Sequence, residues 1–109
     1  MRGDKVSPEL KCAVVFEASL LFRVHQRDIT GDYKFRFVTR TRFAICKALR
    51  SCGYSYPKIA EAFGQHHTTV MHAVATAEER MKTHPAYREK VEVLIEASRK
   101  WKEQLDDRA

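Results

Sequence analysis

Apolar residues recur along most of this chain at intervals of three and four, the period of a helix with one buried face. Leu10, Ala13, Val14, Leu21 and Val24 keep that period through the first stretch, broken at Glu17. Ser7-Pro8-Glu9 ahead of it has the chemistry of a helix start. A serine hydroxyl can accept a free N–H, a proline lacks the N–H that would be orphaned, and a carboxylate suits the positive end of the dipole. The spacing predicts a helix from Ser7 to Phe22 and one further turn over Gln26 to Thr30, ending at Gly31. Tyr33 to Val38 reads as an irregular basic segment. A helix is predicted from Thr39 to Cys52, with Phe43, Cys46 and Leu49 on one face and Gly53 as its stop.

The second half is more regular. Ser55 can cap a short helix, Tyr56–Phe63, with Pro57 in its first turn and Ile59, Ala60 and Phe63 facing inward. After Gly64 a helix is predicted from His67 to Met81. Val70, Val74, Ala77 and Met81 form its apolar stripe, and Thr68 and His72 lie on the opposite side. Thr83-His84-Pro85 opens a last helix reaching Leu105. There Tyr87, Val91, Leu94 or Ile95, and Leu105 face inward and Trp101 packs at the edge. The tail Asp106 to Ala109 is expected to fray. No segment alternates as a strand would. The expected fold is all-α, a single domain over residues 1–109 with five to six helices.

A short helix, a glycine turn and a second helix opening on small polar side chains make helix-turn-helix grammar. Such a second helix enters the DNA major groove. His67, Thr68 and Thr69 stand at its tip. Threonine offers a hydroxyl to bases or phosphates and a methyl to thymine, and histidine can donate to a base acceptor. The alternative is that Thr68 or Thr69 merely caps the helix and the histidines are ordinary surface residues.

Charge strengthens the DNA reading. Twenty Lys and Arg against fourteen Asp and Glu leave a net charge of +6, and the isoelectric point is about 9.4. From Tyr33 to Arg50 there are six basic residues and no acidic one: Lys34, Arg36, Arg40, Arg42, Lys47 and Arg50. Cations so concentrated suit phosphates, and an arm ahead of a helix can enter a minor groove. A solvated charged face is the plainer alternative. Phe35 and Phe37 read as core anchors in preference to base-stacking platforms. Lys58 and the backbone at Ser55-Tyr56-Pro57 stand where the first helix of the motif crosses the DNA backbone, although Tyr56 also reads as a hydrophobic staple.

Other classes find little support. Cys12, Cys46 and Cys52 cannot all pair and form no C-x-x-C, which suggests reduced thiols. No phosphate-binding G-x-x-x-x-G-K-S/T, nucleophile elbow or H-E-x-x-H occurs. His66 and His67 are adjacent and face apart on a helix, so no metal is expected, nor any cofactor. Met1 to Leu10 lacks the apolar core of a signal peptide, and Ala13 to Phe22 is too short to span a membrane. These features predict a non-enzymatic cytoplasmic protein without membrane partners.

The run Ala62-Phe63-Gly64-Gln65-His66-His67-Thr68-Thr69-Val70-Met71-His72-Ala73 closely resembles the signature of the C-terminal DNA-binding domain of DnaA, the bacterial replication initiator. Phe22-Arg23-Val24 through Ile29, the segment Arg36 to Arg42, Ser55 to Ile59 and Leu94-Ile95 also fall in register. The resemblance spans 14–97. It implies an all-α domain that binds a short asymmetric box of double-stranded DNA. By position it places His67, Thr68 and Thr69 in the major groove, with Arg42 also reaching a base. Lys34, helped by Arg36, takes the place of a minor-groove arginine. Tyr56, Pro57 and Lys58 hold the backbone. From the basic run itself, Arg40 and Lys47 are expected to add backbone contacts.

Three departures alter that expectation. The turn is one residue shorter than is usual in the family, and His66 stands where an acidic residue would accept from cytosine, so the preferred sequence should differ. Ala75 and Thr76 replace a basic pair. Lys34 lacks the guanidinium fork. The initiator's ATPase module has no counterpart in these residues. The expected roles are therefore occupation of initiator-like sites, regulation of replication initiation or regulation of transcription. The competing expectation is a protein-interaction module. It would bind a replication or transposition protein through the outer helices, Ser7 to Phe22 and Pro85 to Leu105.

Overall fold

A computed structural model of the chain describes residues 5–108. It contains α1 (Pro8–Phe22), α2 (Gln26–Thr30), α3 (Arg36–Ser51), α4 (Tyr56–Phe63), α5 (His67–Thr83) and α6 (Pro85–Arg108). No strand occurs among the described residues, and no helix there is long and apolar enough to cross a membrane. The fold is all-α, as the periodicity predicts.

Local chemistry sets most boundaries. Ser7 accepts the N–H of Leu10 at 3.1 Å and Ser55 that of Lys58 at 3.4 Å. α1 ends with Arg23 in the left-handed region (φ 56°), where its N–H donates to the Ser19 carbonyl. α3 ends at Gly53 (φ 101°), whose N–H donates to the Arg50 carbonyl at 3.0 Å.

α3 is the central helix and packs against all five others. Its buried stripe is Val38, Thr41, Ala44, Ile45, Ala48 and Leu49. Of the expected face, Leu49 is buried while Phe43 and Cys46 lie half-buried at its edges. The polar member, Thr41, donates to the Phe37 carbonyl at 2.8 Å, so its burial leaves no orphan hydroxyl. α5 contributes Val70, Ala73, Val74 and Ala77, and α6 contributes Tyr87, Val91, Leu94 and Ser98. Met81, Ile95 and Leu105 pack only partly buried.

The break in the α1 pattern has a partner. Trp101 Nε1 donates to the Glu17 carboxylate at 2.9 Å, tying α6 to α1. The Tyr87 hydroxyl donates to the Arg40 carbonyl at 2.9 Å. Burial is the main reason that hydroxyl's pKa is pushed up to about 12.

Three expectations are corrected. α3 begins at Arg36, so the second half of the supposed irregular segment is helical. Phe35 and Phe37 are exposed, at 59% and 57%, and are not core anchors. They precede the point where α3 meets its neighbours. The tail does not fray at 106–108, because α6 continues through Arg108; Lys102 holds Asp106 at 3.1 Å one turn on. Ala109 and residues 1–4 lie outside the described chain.

The cysteines differ in surroundings. Cys12 is exposed, whereas burial pushes the Cys46 thiol up to about 12. Since the thiolate is the nucleophile, a thiol titration at neutral pH should label Cys12 first. Cys46 should react only after denaturant is added. Rapid labelling of Cys46 in the native protein would contradict this packing.

Candidate nucleic-acid interface

The turn between α4 and α5 is three residues, Gly64-Gln65-His66. Gly64 adopts φ 64°, which lets the Gln65 N–H donate to the Ala60 carbonyl at 2.9 Å and its own N–H to that of Glu61 at 3.4 Å. A side chain with a Cβ pays about 1–2 kcal/mol in that conformation. The glycine thus closes α4 and turns the chain into α5.

His66 caps α5. Its Nδ1 accepts the Thr68 N–H at 3.2 Å and lies 2.8 Å from the Thr68 hydroxyl. Its ring lies against that of His67, with centroids 4.4 Å apart, which corrects the expectation that the two face apart: His66 precedes the helix as its cap. The capping role considered for Thr68 or Thr69 therefore falls to His66. An imidazole can cap only with Nδ1 unprotonated. His66, His67, Thr68 and Thr69 are all exposed. Thr69 has no side-chain hydrogen bond among the described residues, so its hydroxyl is free for a ligand.

Opposite this tip lies the segment before α3. A cleft of about 420 Å³ runs between them, bordered by Gly31, Lys34 and Thr39 on one side and Gln65, Thr69 and Ala73 on the other. Lys34 also borders a second cleft of about 520 Å³, with Arg36, Arg40, Glu79, Arg80 and Tyr87. Lys34, Arg36 and Arg40 make no ion pair among the described residues. Thus Lys34 and Thr69 border one cleft, and Lys34, Arg36 and Arg40 border the next.

Two site residues are committed elsewhere. Arg42 does not extend to solvent. Its guanidinium donates to the carbonyls of Ile29, Asp28 and Gly31 at 2.7 Å each, and to that of Tyr33. It holds the end of α2 and the following loop, where carbonyls lack helical partners. Gly31 suits the tight close of α2, since a Cβ there would stand 2.8 Å from the Arg27 carbonyl oxygen. The expected base contact by Arg42 is corrected on this ground. Lys47 is paired with Glu78 at 2.9 Å, bridging α3 and α5, and is not a free cation for phosphate.

At the start of α4, Pro57 is exposed and Tyr56 and Lys58 are half-buried. The Arg50 guanidinium lies 4.5 Å from the Tyr56 ring centroid and donates to the Tyr54 carbonyl at 3.0 Å. Tyr56 is thereby held between Arg50 and the edge of the core, with Lys58 half-buried beside it.

One residue went unnoticed in the sequence. Lys11 of α1 borders the first cleft and lies 4.9 Å from the Phe63 ring centroid. Nothing local marks it, because only tertiary packing brings α1 beside the turn.

Comparison with known proteins agrees with the helix-turn-helix formed by α4 and α5. The family model described as the bacterial DnaA protein helix-turn-helix matches residues 14–76. A chromosomal replication initiator protein DnaA of Francisella tularensis subsp. novicida (strain U112) is 31% identical over 77 residues, covering 69% of this chain. The protein of the same name from Francisella philomiragia subsp. philomiragia gives the same figures. That of Francisella tularensis subsp. tularensis (strain WY96-3418) is 32% identical over 76 residues, or 68% of the chain. The chain spans 16% of the length of each of these relatives.

Proposed function

Because the chain belongs to the bacterial DnaA helix-turn-helix family, a DNA-binding family, we propose that it reads a short DnaA-box-like site in double-stranded DNA. By occupying such sites it regulates replication initiation or transcription at the nucleoid. His67, Thr68 and Thr69 read base edges in the major groove. Lys34 and Arg36 enter the adjacent minor groove. Arg40, Tyr56, Pro57 and Lys58 hold phosphates. His66 borders the bases while capping α5, and Arg42 positions the loop that carries Lys34. The observation that carries this reading is that Thr69, at the exposed start of α5, and Lys34 border one cleft.

Selection from random duplexes at physiological salt tests the reading. An enriched asymmetric motif related to an initiator box is the expected result, and recovery of random sequence would overturn it. Replacing Lys58 separates the two kinds of contact. Lys58→Ala should weaken specific and random duplexes alike and reduce the salt slope by about one. A loss confined to the selected site would remove Lys58 from the phosphate-holding group.

One observation favours a second reading. Cys12, Phe16 and Leu20, spaced four apart on α1, are all exposed, Leu20 at 61%. This stripe suits a protein partner in replication. The interaction reading would prevail if the chain showed no duplex affinity.

A further inference from the structure

Three aromatic rings stand in a row at the entrance to α3. Tyr33, Phe35 and Phe37 are 51%, 59% and 57% exposed. Their centroids are 5.8 Å and 6.0 Å apart, with planes inclined by 29° and 18°. This is offset stacking between neighbours. Exposed aromatic area of this kind earns nothing in the free protein's core, since none of the three rings belongs to it. Lys34 and Arg36 alternate with the rings, and both are exposed. Asp32 precedes the row, and Glu79 is the carboxylate that borders the cleft beyond it.

From this juxtaposition we infer that Tyr33, Phe35 and Phe37, with Lys34 and Arg36, form a stacking platform for unpaired bases, so that the chain also binds single-stranded DNA. Flat π faces need flat partners, and cations beside them need phosphates; a single strand supplies both in alternation. A duplex hides the faces of its bases in its own stack. An anionic lipid surface would be met by a broad apolar face running along a helix, built of Trp, Phe or Leu. Here the positions after Phe37 on α3 are buried Val38 and then Thr39 and Arg40. The platform shares Lys34 and Arg36 with the duplex surface proposed above, but none of its three rings is assigned to that surface.

The test is fluorescence anisotropy of a labelled oligo-dT and of a labelled duplex with the full chain at about 0.1 M salt, a Debye length of about 10 Å. The wild type is compared with two double variants, Phe35→Ala/Phe37→Ala and Phe35→Leu/Phe37→Leu. The leucines keep apolar bulk and remove the π faces. Thermal melts check that each variant folds, which the rings' exposure favours. Both variants should bind oligo-dT at least about fivefold more weakly, the lower end of what one stacked base contributes. Duplex affinity should stay within about twofold. Failure of the wild type to bind oligo-dT would overturn the inference, as would unchanged oligo-dT affinity in the alanine variant. Retention by the leucine variant would replace stacking with plain apolar contact. An equal loss on duplex would assign the rings to duplex binding. Loss of binding to phosphatidylglycerol vesicles with oligo-dT affinity intact would assign them to a lipid surface. Each of these three outcomes would also overturn it. A wild type that binds oligo-dT but not duplex would sink the duplex reading alone.

Discussion

Arg42→Ala should lower stability by about 2–3 kcal/mol, with a fall in melting temperature on the order of 10 °C. The guanidinium donates to four carbonyls at the end of α2 and in the loop beyond it. Charged hydrogen bonds of this kind contribute about 1.5–3 kcal/mol each when isolated, but they share one side chain and water can replace some of them. The carbonyls of Asp28, Ile29, Gly31 and Tyr33 would then need other donors, and the loop carrying Lys34 would lose its fixed position. Duplex affinity should fall with stability. Arg42→Lys should rescue little, because an ammonium cannot present the planar fork that reaches several acceptors at once. Thermal melting beside duplex titration separates the two possible roles. A residue that only read a base would lose specific affinity with its melting temperature unchanged. That outcome would restore Arg42 to the base-contacting set.

What the sequence made legible follows from range. The caps at Ser7 and Ser55 and the turn at Gly64 depend on neighbours within a few positions, and all appear where expected. The stripe Val70, Val74 and Ala77 is a local period and is buried as predicted. The start of α3 was hidden because Phe35 precedes it with no side-chain cap, and Arg36 puts a cation at the positive end of the dipole. Phe37 lies one turn before buried Thr41 on the same face, so periodicity alone assigns it inward. Its exposure depends on where neighbouring helices stop. The Arg42 clamp spans nine to fourteen positions, and the Lys47–Glu78 pair spans thirty-one. Both turn cations that seemed available to DNA into structural ones. The basic run thus divides into free cations at its start and committed ones further along, a division that charge counting cannot reveal.

At the helix tip, replacing His67, Thr68 and Thr69 together by alanine should cost about 3 kcal/mol of specific binding, roughly a hundredfold in affinity. Each side chain is assigned one base-edge contact of about 1 kcal/mol. Stability should change by no more than about 1 kcal/mol. All three side chains are exposed, and the His66 cap uses the backbone N–H of Thr68, which alanine retains. Alanine's higher helix propensity offsets the lost contact between the Thr68 hydroxyl and His66. On random duplex the loss should be only a few-fold, because the phosphate contacts of Arg40 and Lys58 and the charge of Lys34 and Arg36 carry sequence-independent binding. The measurement is a pair of titrations, selected site against random duplex, at one salt concentration. A hundredfold loss on both would mean that the tip holds the backbone and the bases are read elsewhere. A loss on neither would remove α5 from the interface. Only a selective loss ties discrimination to the exposed side chains of the tip, because the cationic cleft beside it remains intact in the variant.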